Sequence, residues 1–226
     1  MAKEKARKRI LHSNVMVIGL GRFGSALARE LMRTGHEVLG IDTDERIVQQ
    51  MALELTHTVK ADTTEEGTLR ELGVSEFDSA VVAIGADIEA SILTTSLLLQ
   101  LGVPNVWAKA NSASHGVILK QLGCHHVIFP EAEMGKRVAH MVSGETLDYV
   151  SIDSDFVMVK TEVPSSFDGQ TLAELKIRST YGVTVVAVTT GDGKYVPAFP
   201  ETVLHQGNQM VVAGQVEPLN EFCKIA

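Results

Sequence analysis

From Val15 onward, short β-branched runs alternate with longer segments in which apolar residues recur every three or four positions, the pattern of repeated βαβ units. A first strand is expected at Val15–Ile18. After a glycine-rich turn, a helix runs from about Phe23 to Thr34, and Gly35 stops it. EVLGID (Glu37–Asp42) reads as a second strand and Glu45–Glu54 as a helix. HTVKAD (His57–Asp62) reads as a third strand, with a short helix ending near Leu72. SAVVAIG (Ser79–Gly85) is apolar almost throughout, as a strand covered on both faces of a parallel sheet should be. A helix over Ile88–Leu101, a strand in NVWAKA, a helix over Ala113–Leu122 and a strand in HVIFP complete the alternation. Six such strands predict a doubly wound parallel α/β sheet with its ligand site at the switch point beside strand one.

The pattern changes after a last helix, Glu131 to about Ser143. SGETLD marks a boundary near residue 145. DFVMVKTEV then alternates, TLAELKI reads as a short helix, GVTVVAVTTGDGKYV as a strand entering a Gly-Asp-Gly turn, and QMVVAG as a last strand. The expected organisation is a basic tail over residues 1–13, a nucleotide-binding domain over 14–145 and a small C-terminal α+β subdomain over 146–226. That subdomain is too small for the substrate domain of a typical dehydrogenase.

The turn between the first strand and helix is GLGRFG, Gly19–Gly24. Gly19, Gly21 and Gly24 stand where a Rossmann-like fold needs a tight turn, close approach of backbone to phosphate, and close packing of helix on strand. Leu20, Phe23 and, at the end of strand two, Thr43 belong to the same site. Phosphate belongs against the N–H groups that open the helix. Asp42 follows Gly24 by 18 residues and is placed to accept from ribose hydroxyls. It also disfavours a 2′-phosphate, because like charges about 5 Å apart repel by roughly 3 kcal/mol at an effective dielectric of about 20.

Asp62, followed by Thr63, falls beside the expected adenine pocket, where its carboxylate either accepts from an amino group or caps the next helix. Ala83, Ile84 and Gly85 supply an apolar wall for a flat ring. Lys109 is the one charge in its strand, either snorkelling outward or aimed at phosphate. Arg22 carries no meaning if it merely points to solvent; over the phosphates, its planar fork pairs with terminal oxygens of a di- or triphosphate.

Composition narrows the function. A net charge of −8 argues against nucleic-acid binding, and the basic run Lys3–Arg9 reads as a solvated tail. No signal-peptide pattern follows that run and no membrane-spanning run occurs, so a cytoplasmic protein is expected. Two distant cysteines offer neither a disulfide framework nor a zinc site. GxSxG, HExxH and GxxxxGK[ST] motifs are all absent, which favours a binding protein over an enzyme.

VIGLGRFGSALARELMRTGHEVLGID, ADTTEEGTLRELGV, VVAIGADIEASILTTSLLLQLGVPNVWAKA and FPEAEMGKRVA together resemble the regulatory subunits of Ktr/Trk-type potassium uptake systems, built from RCK domains, with the Ktr branch nearest. The resemblance implies a non-enzymatic gating ring: a homodimer assembling into a homo-octamer beneath a membrane-embedded potassium-transporting subunit, at the inner face of the membrane, activated by ATP and inactivated by ADP. It implies that Arg22 contacts the terminal phosphate across the dimer, that Asp42 holds the ribose, and that Asp62 and Lys109 complete the site. Glu131 would lie at the dimer interface with a divalent cation, Mg2+ or Ca2+. Arg178, in LKIRSTYG, matches the region where some relatives bind cyclic di-AMP. The glycine fingerprint and Asp42 also fit NAD(H), leaving a small NAD-dependent oxidoreductase or an NAD-responsive regulator as the alternative. The apolar content of the Ser91–Gly102 and Glu133–Val142 helices favours at least a dimer, through the latter.

Overall fold

The computed structural model describes residues 13–142 and 146–225; the basic run Lys3–Arg9 and the first three residues of the expected boundary segment, 143–145, lie outside the described residues. The chain divides into two compact units, Met1–Pro130 and Glu131–Ala226.

In the first unit, β1 (Asn14–Ile18), α1 (Arg22–Arg33), β2 (Glu37–Asp42), α2 (Glu45–Met51), β3 (His57–Lys60) and α3 (Glu66–Glu71) are followed by a one-turn 3-10 helix. Then come β4 (Ser79–Val82), α4 (Ile88–Gln100), β5 (Val106–Lys109), α5 (Ala113–Gln121) and β6 (His126–Ile128). The strands form one sheet in the order β3-β2-β1-β4-β5-β6 with every pairing parallel, the doubly wound arrangement expected from the sequence. β1 lies at its centre. Met16 and Ile18 enter one buried cluster with Ile41, Leu69, Leu98 and Leu119, while Val15 and Val17 enter another with Leu20, Ala28 and Met51. Successive side chains thus fill opposite faces, which is why this strand is apolar without alternation.

Strands β3, β4 and β6 end two or three residues earlier than the runs expected from the sequence. At the carboxyl edge the backbone leaves the ladder to turn into the next helix, so Asp62, Ala83, Ile84 and Gly85 stand in the crevice-lining turns. Helix α1 begins close to β1 because two glycines permit it. Gly19 adopts φ +90°, and a Cβ on Gly24 would stand 1.9 Å from the Gly19 carbonyl oxygen and 3.2 Å from the Ala83 Cβ.

Helix α4 buries hydroxyls beside Leu98. Ser91, Thr94 and Thr95 are fully buried, whereas Ile88 and Leu93 are exposed. The Thr95 hydroxyl donates to the Ser91 carbonyl at 2.7 Å, and the hydroxyls of Thr94 and Thr63 bond to each other at 2.9 Å. In the first turn of α5, His115 is 1% exposed. Its Nδ1 accepts the Asn111 N–H at 3.3 Å, which assigns the ring proton to Nε2, and that buried nitrogen has no hydrogen-bond partner. Leaving such a group unsatisfied costs about 1–3 kcal/mol.

The second unit contains α6 (Pro130–Val142) and a sheet in the order β10-β9-β11-β8-β7, built from β7 (Asp148–Ser151), β8 (Phe156–Glu162), β9 (Thr184–Thr189), β10 (Tyr195–Pro197) and β11 (Gln209–Gln215). Every pairing in it is antiparallel. Val157, Val159, Met210, Val212, Leu219 and Phe222 form its core, the last two from α9 (Val216–Cys223). Arg137 on α6 donates twice to Asp148 at the start of β7, both at 2.8 Å, and holds that carboxyl below the usual carboxylate range.

TLAELKI, expected as one helix, is two. α7 (Leu172–Leu175) opens on a Thr171–Glu174 capping box and α8 (Ile177–Tyr181) follows, with Lys176 between them at φ +50°. That left-handed residue turns the chain so that Ile177 enters the core at 3% exposure.

Gly24→Ala is expected to destabilise the protein by about 1–3 kcal/mol or more in denaturant titration, because the clashing atom is backbone and cannot rotate away. His115 supplies a second test. Burial lowers its pKa, so the unfolded chain binds the proton more readily; stability is intact above about pH 6.5 and falls as pH drops toward the folded pKa. Replacing His115 by Gln should flatten that segment of a stability-versus-pH curve.

Candidate nucleotide site

At the carboxyl edge of the first sheet, the Gly19 N–H donates to the Ile41 carbonyl at 2.8 Å, tying the glycine turn to β2. Asp42 extends the tie: Oδ2 accepts the Leu20 N–H at 2.7 Å and Oδ1 accepts the Asp44 N–H at 2.9 Å. One carboxylate therefore fixes both the turn after β1 and the turn after β2. Each of its oxygens retains acceptor capacity beyond the one amide, enough for ribose hydroxyls. Thr43, between these anchors, is exposed. The Leu20 side chain is buried beneath the turn, so Leu20 contributes to the crevice through its backbone.

Helix α1 starts at Arg22 on an N-cap glycine, Gly21, with no side-chain cap and no acidic residue in its first turn. Its amides and the positive end of its dipole thus meet no protein carboxylate on this helix. A Cβ on Gly21 would meet nothing within 4 Å, leaving the approach to those amides open. The Arg22 side chain is exposed at this end, and Phe23 is half-buried.

Two strands supply the other side. The segment Ala83–Gly85 passes directly beside the glycine turn, since a Cβ on Gly19 would stand 3.0 Å from the Ile84 nitrogen. Lys109, at the end of β5, is 8% exposed. Its Nζ lies 6.0 Å from the centre of the Phe23 ring and 3.4 Å from where a Gly85 side chain would begin. The lysine therefore reaches the start of α1 inside the fold, and the absence of a side chain at Gly85 gives it room.

Asp62 is exposed and accepts the Thr64 N–H and hydroxyl through Oδ1, at 2.9 and 2.7 Å, the Thr64 hydroxyl doing most to hold its carboxyl below the usual range. It caps a turn. Thr63 is buried, with its hydroxyl bonded to Thr94. The structure thus brings Gly19, Leu20, Gly21, Arg22, Phe23, Gly24, Asp42, Ala83, Ile84, Gly85 and Lys109 around one turn.

Glu131 lies on α6, in the second unit. Among the described residues no group of three or more His, Cys, Asp or Glu side chains is placed to hold a metal ion. Arg178 also belongs to the second unit, where its Nε donates to the Thr184 hydroxyl at 3.1 Å. With Lys176, Ile177, Ala198, Phe199 and Pro200 it lines an open groove of about 470 Å³.

Asn111 was not singled out by its sequence context. Its side-chain amide donates to the Gly85 carbonyl, and its own N–H donates to the buried His115 ring. The available signal was its spacing, two residues beyond Lys109 in the continuation of β5.

No helix among the described residues is long and apolar enough to cross a membrane. Family models match in two places: the TrkA-N domain over residues 15–130 and the TrkA-C domain over residues 156–226. Ktr system potassium uptake protein C of Bacillus subtilis is 39% identical over 209 residues, spanning 92% of this chain and 95% of that protein. Ktr system potassium uptake protein A of the same organism is 38% identical, spanning 95% and 97%, and its namesake in Vibrio alginolyticus 36% identical, spanning 90% and 93%. The GsuK RCK domain shares the fold at TM-score 0.52 and 23% identity, over 94% of this chain and 46% of that one. A GsuK channel bound to NAD does so at TM-score 0.51 and 23% identity, over 94% and 38%. The chain thus spans less than half the length of these two solved structures. With both models matched in order, and with relatives more than a third identical over nearly their whole length, the chain belongs to the TrkA-N/TrkA-C family of potassium uptake proteins rather than to the dehydrogenases.

Proposed function

We propose that this protein is a cytoplasmic regulatory subunit that senses adenine nucleotides and gates a membrane-embedded potassium-transporting subunit, with ATP favouring the active state and ADP the inactive one. The observation that carries the reading is the α1 N-terminus: uncapped amides, an exposed Arg22 at its first position and Asp42 at the ribose position. The amides and Lys109 would take the phosphates, Asp42 the ribose, and Asp62 with Thr63 would border the adenine. Arg22 would read the terminal phosphate. Gating then requires that the two nucleotides favour different states, since equal affinity for both states shifts nothing.

Surface character supports assembly. Helix α6 buries no residue within the chain and exposes Met134, Val138 and Val142 at i, i+4 and i+8, a single apolar stripe. We infer that this stripe meets its counterpart in a homodimer, with Glu131 contributing to a Mg2+ or Ca2+ site there. Further exposed apolar side chains, Ile88 and Leu93 on α4 and Val117, Ile118 and Leu122 around α5, support further association into an octameric ring. Arg178 and its groove are a candidate for cyclic di-AMP. NAD(H) remains the second reading for the first unit, because Asp42 suits any nucleotide with an unmodified ribose.

Calorimetry with ATP, ADP and NADH tests the central reading. Arg22→Ala is expected to weaken ATP by about 10- to 100-fold, the loss of one charged hydrogen-bonding pair, and ADP by less. NADH binding far tighter than ATP, with ATP indifferent to Arg22→Ala, would overturn it. In light scattering at micromolar concentration the protein should be a dimer or larger, and Val138→Asp should shift it toward monomer. A wild-type monomer would refute the assembly.

A further inference from the structure

The buried His115 ring is one of two polar side chains in the first unit, with Ser91, that keep a buried atom without a hydrogen-bond partner among the described residues. It sits in the interior with Nε2 unpartnered, and its one ring hydrogen bond is the acceptance of the Asn111 N–H by Nδ1. A buried imidazole that spends its only ring contact on a neighbouring backbone amide fixes that backbone in place. The α5 N-terminus adds to the brace: the Ser112 hydroxyl accepts the His115 N–H at 3.1 Å.

What this brace holds is the exposed Asn111 side chain, whose amide donates to the Gly85 carbonyl across the gap between the β4–α4 and β5–α5 turns. Gly85 has little freedom to move without consequence. On one side the Lys109 ammonium lies 3.4 Å from its Cβ position; on the other, the adjoining Ala83–Ile84 peptide is wedged against Gly19, 3.0 Å from that residue's Cβ position. A displacement of Gly85 therefore alters both the room available to Lys109 and the wall facing the glycine turn.

We propose that Asn111 is a positioning residue of the nucleotide site: braced by His115, its amide holds Gly85 where Lys109 keeps its place beside the phosphates and the turn keeps its place against the sugar. This rests on the nucleotide-sensing reading above. Asn111 needs no contact with the ligand; it acts through Gly85 and Lys109.

The test uses the full chain with ATP as probe and the variants Asn111→Ala, Asn111→Asp and Asn111→Gln. Ala and Asp both delete the donor; Asp does so without a change in size, and its added negative charge beside the phosphate site can only deepen the loss. Each should weaken ATP by about 3- to 10-fold, the range for one lost hydrogen bond, with little change in melting temperature because Asn111 is exposed. Gln keeps the donor and should recover much of the affinity. In a Lys109→Met background, Asn111→Ala should cost less than it does in the wild-type chain, since part of its effect runs through the lysine. Ala and Asp variants within twofold of wild type, or a full additional loss in the Lys109→Met background, would overturn the inference while leaving the nucleotide reading intact. A wild-type chain that binds no adenine nucleotide would instead overturn that reading, and the inference with it.

Discussion

The approach of α1 to the end of β1 sets the geometry of the whole first unit. A helix following a central parallel strand must turn back over the sheet, and here it does so with Gly24 against the Gly19 carbonyl, closer than any side chain permits. The same closeness aims the helix's first amides across the carboxyl edge, beside Asp42 and the turns after β4 and β5. Without it, the amide row, the carboxylate and the lysine would not share a crevice.

The architecture around that contact was legible from hydrophobic patterning. Runs such as SAVV and NVMVI are apolar on both faces, and their alternation with amphipathic segments leaves few topologies open. Patterning was less informative where side chains depart from their usual surroundings. In α4 the core takes Leu98 together with Ser91, Thr94 and Thr95, while Leu93 is exposed. No period in the sequence singles out this arrangement, because both faces of that helix are moderately apolar. The break at Lys176 was hidden for another reason: lysine has no preference for a left-handed backbone, and only the burial of Ile177 accounts for it.

At the site, spacing was enough to place the glycines and Asp42, since those positions answer to backbone geometry. It was not enough for side chains whose partners lie far along the chain. Thr63 pairs with Thr94, 31 residues away, and Asn111 reaches Gly85, 26 residues away; neither partner announces itself locally. Asp62 left two readings open, and it does not cap the next helix, whose N-cap is Glu65; its Oδ1 instead closes a turn with Thr64.

Asp42 carries one more consequence. Its carboxylate bonds to amides of two successive turns within the protein itself, so a ligand entering the crevice does not have to order them. Such a cradle is inexpensive to occupy and, for the same reason, a poor messenger: a part that hardly rearranges has little to report. Discrimination between ligands, and any motion that follows from it, then falls to what stands outside the cradle and remains free to choose a rotamer, foremost the exposed guanidinium of Arg22.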